Sequence, residues 1–314
     1  MSEGANNRSS GLDRWVEQKQ SLQPWSVLGR QVRGVVSWNM NDVCNYRCSY
    51  CTQRHMGDRS GQLEDVPQTL QSLRCLPGHW EFKLSGGEPF RQTGLDEIVT
   101  GLVSMGHSIS IQTNFSAPEE KLRSFLEATR GALHVFSASL HLDYATPESF
   151  MEKYQIIKEY ASLGVRFHVT SVGVPQRLEQ LRDEVQPYFQ QHGIELKVQP
   201  EKMRGYVREY SDSEKETLLE LGGHNQTGKI QHNFQGKLCY SGANYIVIKS
   251  NGQAYRCYPA SRVGGRFAQL GSLSEGITLN AGPRICPYTY CNCTVPIQRG
   301  MIEGQQRGDL DEIR

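Results

Sequence analysis

The chain has 314 residues, with 34 Lys or Arg against 33 Asp or Glu and a formal net charge of +1. A chain this long buries a sizeable core without disulfide support, and its balanced charge gives no field to draw a phosphate backbone or an acidic bilayer, so neither nucleic acid nor membrane is an expected partner. No apolar run approaches the roughly 18 residues of a membrane span, and the Asn- and Ser-rich start reads as neither signal peptide nor anchor, which predicts a cytoplasmic protein.

Leu12, Trp15, Val16 and Leu22 fall at roughly helical spacing, predicting a short amphipathic helix within an extension over residues 1–33. From residue 34 onward strand and helix signals alternate. Strands are predicted at 35–41, 81–84, 108–113, 133–140, 166–172 and 195–199, and helices at 66–76, 95–105, 119–129, 147–163 and 178–192. Gly78, Gly106, Gly131, Gly164 and Gly193 stand just past the helix ends, where left-handed caps belong. Six such units predict an α/β domain over residues 34–205, with a parallel sheet short of a closed eight-fold barrel.

Residues 206–236 are polar and read as a linker carrying one helix at 211–221. Residues 237–314 form a cysteine-rich C-terminal domain. There, 245–248 and 254–257 flank Asn251-Gly252, predicting a hairpin with a type I′ turn in which Cys257 faces Ile246. The remainder, rich in Cys, Pro and Gly, lacks periodicity and would need a metal to hold it. Trp38 and Trp80 read as packing residues, His107, His134 and His168 as core or surface groups rather than ligands, and Cys75 as a small core residue.

Nine cysteines, an odd number, point to metal ligation rather than disulfides in a reducing compartment. Cys44, Cys48 and Cys51 follow the first strand, on a loop leaving the C-terminal mouth of the sheet. Three thiolates would leave one iron of a cubane open, whereas zinc would want a fourth ligand, for which His55 is nearest. Cys239, Cys257, Cys286, Cys291 and Cys293 form a second group, enough for one four-ligand site and a spare; spacing alone does not separate iron from a zinc ribbon.

With Tyr50 directly before Cys51, the first triplet resembles the signature of the radical S-adenosylmethionine superfamily, and Ser85-Gly86-Gly87-Glu88-Pro89 after the second strand resembles that family's Gly-Gly-Glu-Pro element. The resemblance covers residues 35–200. It implies a partial (β/α)6 barrel, a [4Fe-4S] cluster on Cys44, Cys48 and Cys51, and S-adenosylmethionine chelating the open iron. Gly86 and Gly87 would let the backbone approach the methionyl amine, and Glu88 or the carbonyls beside it would help hold the ammonium. Thr113, Asn114, Ser139 and His141, at strand ends, are further candidate cofactor contacts. A flavodoxin- or ferredoxin-type electron donor is implied as a partner.

Cys239, the Gly252-x4-Cys257 spacing and Leu270-Gly271-Ser272-Leu273 resemble the auxiliary-cluster domains called SPASM and twitch. The segment has fewer cysteines than a full SPASM domain. The twitch likeness implies one auxiliary [4Fe-4S] cluster on Cys239, Cys257 and Cys291, with Cys293 ahead of Cys286 as fourth ligand. The spare thiol among Cys286, Cys291 and Cys293 is a candidate hydrogen donor. The expected function is cleavage of S-adenosylmethionine to a 5′-deoxyadenosyl radical that abstracts hydrogen from a polar metabolite of sugar or aminocyclitol type, in an oxidation or epimerisation. Radical modification of a ribosomally made peptide is the alternative substrate class. A non-catalytic metal-binding module is the other alternative, and it leaves Gly86-Gly87-Glu88 beside a three-thiol loop without a purpose.

Overall fold

The computed structural model describes residues 22, 24–52, 65–203, 206–222, 232–265, 267–291 and 294–305. Residues 12–21 of the expected N-terminal helix, His55 and Cys293 lie outside the described residues.

Six strands, β1 (Gly34–Asn39), β2 (Trp80–Ser85), β3 (Ser108–Thr113), β4 (Leu133–Ser139), β5 (Arg166–Gly173) and β6 (Leu196–Pro200), run parallel in chain order. Each begins and ends within two residues of its predicted position. Their residues alternate between two faces. Val36, Trp38, Phe82, Leu84, Ile109 and Ile111 enter one large core, whereas Ser37, Glu81, Lys83, Ser108, Ser110 and Gln112 fall on the opposite face, as period-two side-chain geometry requires. The apolar face is covered by α1 (Val66–Leu73), α2 (Leu95–Ser104), α3 (Glu119–Ala128), α4 (Pro147–Lys158) and α5, which starts at Leu178 and ends at Gln191. Trp38 and Trp80 are fully buried there, as expected.

Local chemistry sets the helix limits. The side chains of Asp65 and Thr146 cap α1 and α4, and all five predicted cap glycines take positive φ. Helix α4 stops before its predicted end at residue 163, giving way to a 3-10 turn, Ala161–Leu163, closed by Gly164. Helix α5 widens to a π turn over Leu181–Val185 just before Pro187, because proline supplies no N–H to the ladder and its ring crowds the preceding turn.

The sheet does not stop at β1. β7 (Tyr245–Ile248) pairs with β1 in parallel, Tyr245 opposite Val35 and Ile248 opposite Trp38. β8 (Gln253–Tyr255), β9 (Gln269–Ser272) and β10 (Gly276–Ile277) then add antiparallel, so the sheet is mixed and ten-stranded rather than purely parallel. The hairpin register differs from expectation by one residue. Val247 faces Tyr255 and the Gly252 N–H reaches the Lys249 carbonyl, so the turn spans 249–252 with positive φ at Gly252 but not at Asn251. A type I′ turn needs positive φ at both central residues. Cys257 therefore falls beyond the ladder, at the start of helix α7 (Tyr258–Val263).

Two segments differ from their predicted character. The expected linker packs on the barrel: helix α6 (Asp212–Glu220) buries Leu218, and Tyr210 donates to the Gly173 carbonyl at 2.8 Å. The N-terminal extension contributes a hairpin, Trp25–Val27 with Arg30–Val32, turning at Leu28-Gly29 with φ of 51° and 74°. Its Trp25, Val27 and Val32 join Val35, Tyr245, Val247 and the C-terminal cysteines in a second core. No helix among the described residues is long and apolar enough to cross a membrane.

Glu81 locks this second assembly to the barrel. It is fully buried, and its carboxylate accepts from Ser110 at 2.8 Å, contacts His134 at 3.1 Å and pairs with Arg299 from the C-terminal segment at 2.9 Å. Burial alone would raise its pKa, but Lys83, His134 and Arg299 outweigh burial and hold it well below the ordinary value. Glu81→Ala removes the buried carboxylate that Arg299 meets at 2.9 Å, a loss of about 3–5 kcal/mol in denaturant unfolding. Because the folded pKa is depressed, Glu81's contribution is present at neutral pH, begins to fall near the unfolded carboxylate value of about 4.3, and is lost as pH drops through the folded value. The variant's stability should accordingly be flatter than wild type in that acid range.

Candidate active site

The mouth of the barrel is built on one close approach of backbone to backbone. Beyond β1, residues 41–43 run beside Gly86-Gly87-Glu88: the Gly87 N–H donates to Asn41 O at 2.8 Å and the Glu88 N–H to Val43 O at 2.7 Å. A Cβ on Gly87 would sit 2.2 Å from Val43 O, and Gly86 holds φ of +151° with its Cβ position 2.8 Å from Asn41 O. Only glycine permits this contact. Asn41, fully buried, donates from Nδ2 to Glu88 O at 3.2 Å and accepts the Val43 N–H at 3.1 Å, so the chain enters Cys44 from a fixed position.

Glu88 carries the constraint to β3. Its Oε1 accepts from Thr113 Oγ1 at 2.6 Å and the Phe90 N–H at 3.1 Å, and its Oε2 from the Asn114 N–H at 2.7 Å. The carboxylate is 1% exposed, and burial lifts its pKa despite these three donors. Asn114 in turn points Nδ2 at Cys44 Sγ, 3.7 Å away, and donates to Asn45 Oδ1 at 3.0 Å. Thr113 and Asn114 thus meet the cysteine loop through Glu88 and Cys44.

The far side of the loop is held by the end of β4. His141 Nδ1 lies 3.4 Å from Cys48 Sγ and 2.8 Å from the Tyr50 hydroxyl, and its ring stacks on Tyr50. Tyr46 stacks on Tyr144, whose hydroxyl accepts the Arg47 N–H at 2.9 Å. Burial lowers the His141 pKa to about 4, so the ring is neutral and Nδ1 shares one hydrogen bond with the Tyr50 hydroxyl. Ser139 is placed differently, on the polar face inside the sheet, 3.1 Å from Thr170 Oγ1 and 3.2 Å from Gln112 Nε2. Tyr46, Asn45 and Tyr144 carry no sequence signal that singled them out.

Cys44, Cys48 and Cys51 are free thiols on this loop. Burial raises the first two, Cys48 to about 11, so they become thiolates only when a metal offsets the charge. Cys239, Cys257, Cys286 and Cys291, none of them in a disulfide, line one small pocket together with Arg256 and Tyr288. Cys286 is among them, and Cys293 lies outside the described residues. Arg256 is 3% exposed and its Nε has no hydrogen-bond partner among the described residues. No three His, Cys, Asp or Glu side chains among the described residues converge closely enough to hold a single metal ion. Cys75, expected in the core, is exposed and reaches Ile277 O at 3.3 Å, because α1 ends at Leu73 and leaves it on a surface turn.

The model of the radical SAM superfamily matches residues 38–186. This barrel is a radical SAM domain. Among curated relatives, 7-carboxy-7-deazaguanine synthase of Aquifex aeolicus is 28% identical over 122 residues, 37% of this chain and 55% of that protein. GTP 3′,8-cyclase of Stenotrophomonas maltophilia is 29% identical over 108 residues, 32% of this chain and 33% of that protein. The chain thus spans only about a third to a half of these relatives. Streptococcus suis SuiB bound to precursor peptide SuiA superposes at a TM-score of 0.55 and 16% identity, covering 76% of this chain and 62% of that one. A second structure, anSMEcpe with bound AdoMet, gives 0.51 and 17%, covering 76% and 77%. Both are likenesses of fold.

Gly87→Ala in this radical SAM domain should displace Val43 and with it Cys44, so that iron bound by the protein and affinity for S-adenosylmethionine fall together. Gly282→Ala, where nothing lies within 4 Å of the added Cβ, should change neither. Iron analysis after anaerobic reconstitution and equilibrium dialysis with the cofactor check both. Thr113→Val, which removes one hydrogen bond to the Glu88 carboxylate, should cost about 1.5–3 kcal/mol in unfolding.

Proposed function

We propose that this radical SAM enzyme binds a [4Fe-4S] cluster on Cys44, Cys48 and Cys51, binds S-adenosylmethionine beside it, and acts on a small molecule held against the polar face of the sheet. The observation that supports this most is the three-thiol loop itself, fixed at three strand ends by Gly86-Gly87-Glu88, Asn114 and His141. When bound, the cluster and cofactor would supply one-electron chemistry and a 5′-deoxyadenosyl radical. The chain's part is positional. Glu88 is spent on Thr113, Phe90 and Asn114, so backbone carbonyls at 86–88 are the groups to meet a cofactor ammonium. Tyr50 and His141 offer a flat wall beside Cys48.

The second thiol group supports one auxiliary [4Fe-4S] cluster on Cys239, Cys257, Cys286 and Cys291. This differs from the ligand order that the twitch likeness implied, which put Cys293 ahead of Cys286. A single zinc binds sulfur at about 2.3 Å and draws its thiolates to within roughly 4 Å of one another, whereas no three of these thiols converge closely enough to hold one ion. Arg256 adds a charge argument. Its buried guanidinium has no carboxylate partner among the described residues, and four thiolates would supply a counter-charge. Cys293 is then the remaining candidate for a free thiol. Next to Cys257, Tyr258 donates to Asn39 Oδ1 at 3.2 Å on the last residue of β1, so this pocket borders the polar face.

The sugar or aminocyclitol reading draws no support from the relatives described above, whose names refer to GTP and to a deazaguanine. The peptide reading fares no better, since the likeness to SuiB is one of fold.

Anaerobically reconstituted protein should bind about eight irons, as two cubanes require, and form 5′-deoxyadenosine when reduced. Replacing Cys44, Cys48 and Cys51 with Ala should leave about four irons and abolish 5′-deoxyadenosine. Cys286→Ala should also leave about four, whereas Cys75→Ala retains the full complement. Stoichiometric zinc with little iron in the wild-type protein would refute the assignment.

A further inference from the structure

The starts of β2 and β3, one strand length from the cysteine loop, border a second concave site. A groove of ≈470 Å³, open to solvent, lies where the turn from α1 to β2 and the turn from α2 to β3 meet the N-terminal hairpin. Clefts that take small molecules run from about 300 to 1,000 Å³. Arg30 reaches the groove from the hairpin strand Arg30–Val32, Arg74 from the end of α1, and His79 and His107 from the turns before β2 and β3. Leu76 and Met105 give it an apolar side. Gly106, at φ of +86°, makes room for the first arginine, since a Cβ there would lie 3.1 Å from Arg30 Nη2.

No Asp or Glu lines this groove. Neither Arg30 nor Arg74 forms an ion pair or a side-chain hydrogen bond among the described residues. Basic side chains often cap the last carbonyls of helices, but here backbone already meets them: the Arg74 N–H donates to Gln71 O, Leu76 to Leu73 O, Gly106 to Val103 O and His107 to Leu102 O. Glu81 acts on His79 from inside the barrel, yet its carboxylate is committed to Ser110, His134 and Arg299.

His107 adds a neutral donor. It is 3% exposed, and its Nδ1 accepts the Trp80 N–H at 3.3 Å. Burial, reinforced by the charges of His79 and Arg30, lowers its pKa to about 4, so the ring is neutral and its proton sits on Nε2. No acceptor among the described residues takes that proton. His79, by contrast, is engaged with Ser108 Oγ at 2.7 Å.

We propose that this groove binds the phosphate group of a small molecule, with Arg30 and Arg74 as cationic anchors and His107 Nε2 as a neutral donor. A cleft lined by charge of one sign focuses its field on an incoming ion, and guanidinium forks match phosphate oxygens two at a time. Two positive charges answer the charge of about −1.5 to −2 on a phosphate monoester. Leu76 and Met105 would pack on the carbon skeleton beside it. The groove lies at the opposite end of the strands from Gly86-Gly87-Glu88, so this assignment is independent of the function proposed above.

The test uses the full chain with its clusters reconstituted anaerobically, titrated with inorganic pyrophosphate in a calorimeter. Wild-type protein should bind pyrophosphate, and the Arg30→Gln, Arg74→Gln double variant should bind it at least about 10-fold more weakly, the loss of one charge-assisted bond or more. Lys121→Gln with Lys215→Gln removes the same two charges from helices α3 and α6 and should bind as wild type does. Both arginines are exposed, so the double variant should keep the wild-type iron content and far-ultraviolet circular dichroism. No binding by the wild type, equal weakening in both double variants, or tighter binding of citrate than of pyrophosphate would each overturn the assignment.

Discussion

The contact between residues 41–43 and Gly86-Gly87-Glu88 is the constraint on which the rest of the mouth depends. Two backbones approach within hydrogen-bond distance where any side chain would intrude, with Val43 O only 2.2 Å from where a Cβ on Gly87 would lie. The first cysteine is the next residue after that contact. Everything beyond it, from Asn114 beside Cys44 to His141 beside Cys48, takes its place relative to a loop that enters from a fixed point. Glu88 then extends the constraint sideways, since a buried carboxylate with three donors ties β3 to the same loop.

Much of this was legible from the sequence because it is local. Strand and helix periods, cap glycines and the two motifs each occupy a few consecutive residues, and they placed the barrel and the three-thiol loop correctly. Local signals also existed that a reading for apolar runs passes over. The alternation in Ser108–Thr113 announces one polar face to the sheet, and Leu28-Gly29 between Trp25–Val27 and Arg30–Val32 is a hairpin signal.

What could not be read was set by partners far apart in the chain. Glu81 and Arg299 are separated by 218 residues, and β7 reaches β1 across more than 200. Nothing in either segment's own sequence nominates the other. Glu88 shows a subtler limit: its residue type fits an ammonium ligand and a buried strut equally well, and only its neighbours decide which it is. The grouping of Cys286 with Cys239, Cys257 and Cys291 is of the same kind, fixed by the pairing of 238–239 with 284–285 rather than by spacing.

The parallel pairing of β7 with β1 also bears on how the protein is made. Chains emerge from the ribosome N-terminus first, at about 5–20 residues per second, so β1 waits some tens of seconds or less for the strand that covers its outer edge. Until Tyr245–Ile248 is available, β1 presents an unpaired row of peptide groups, and Trp25, Val27 and Val35 lack the apolar surface they pack on. The loop bearing Cys44 leaves from that same strand. That loop is therefore settled only after synthesis of nearly the whole polypeptide, although its residues lie near the start of the sequence.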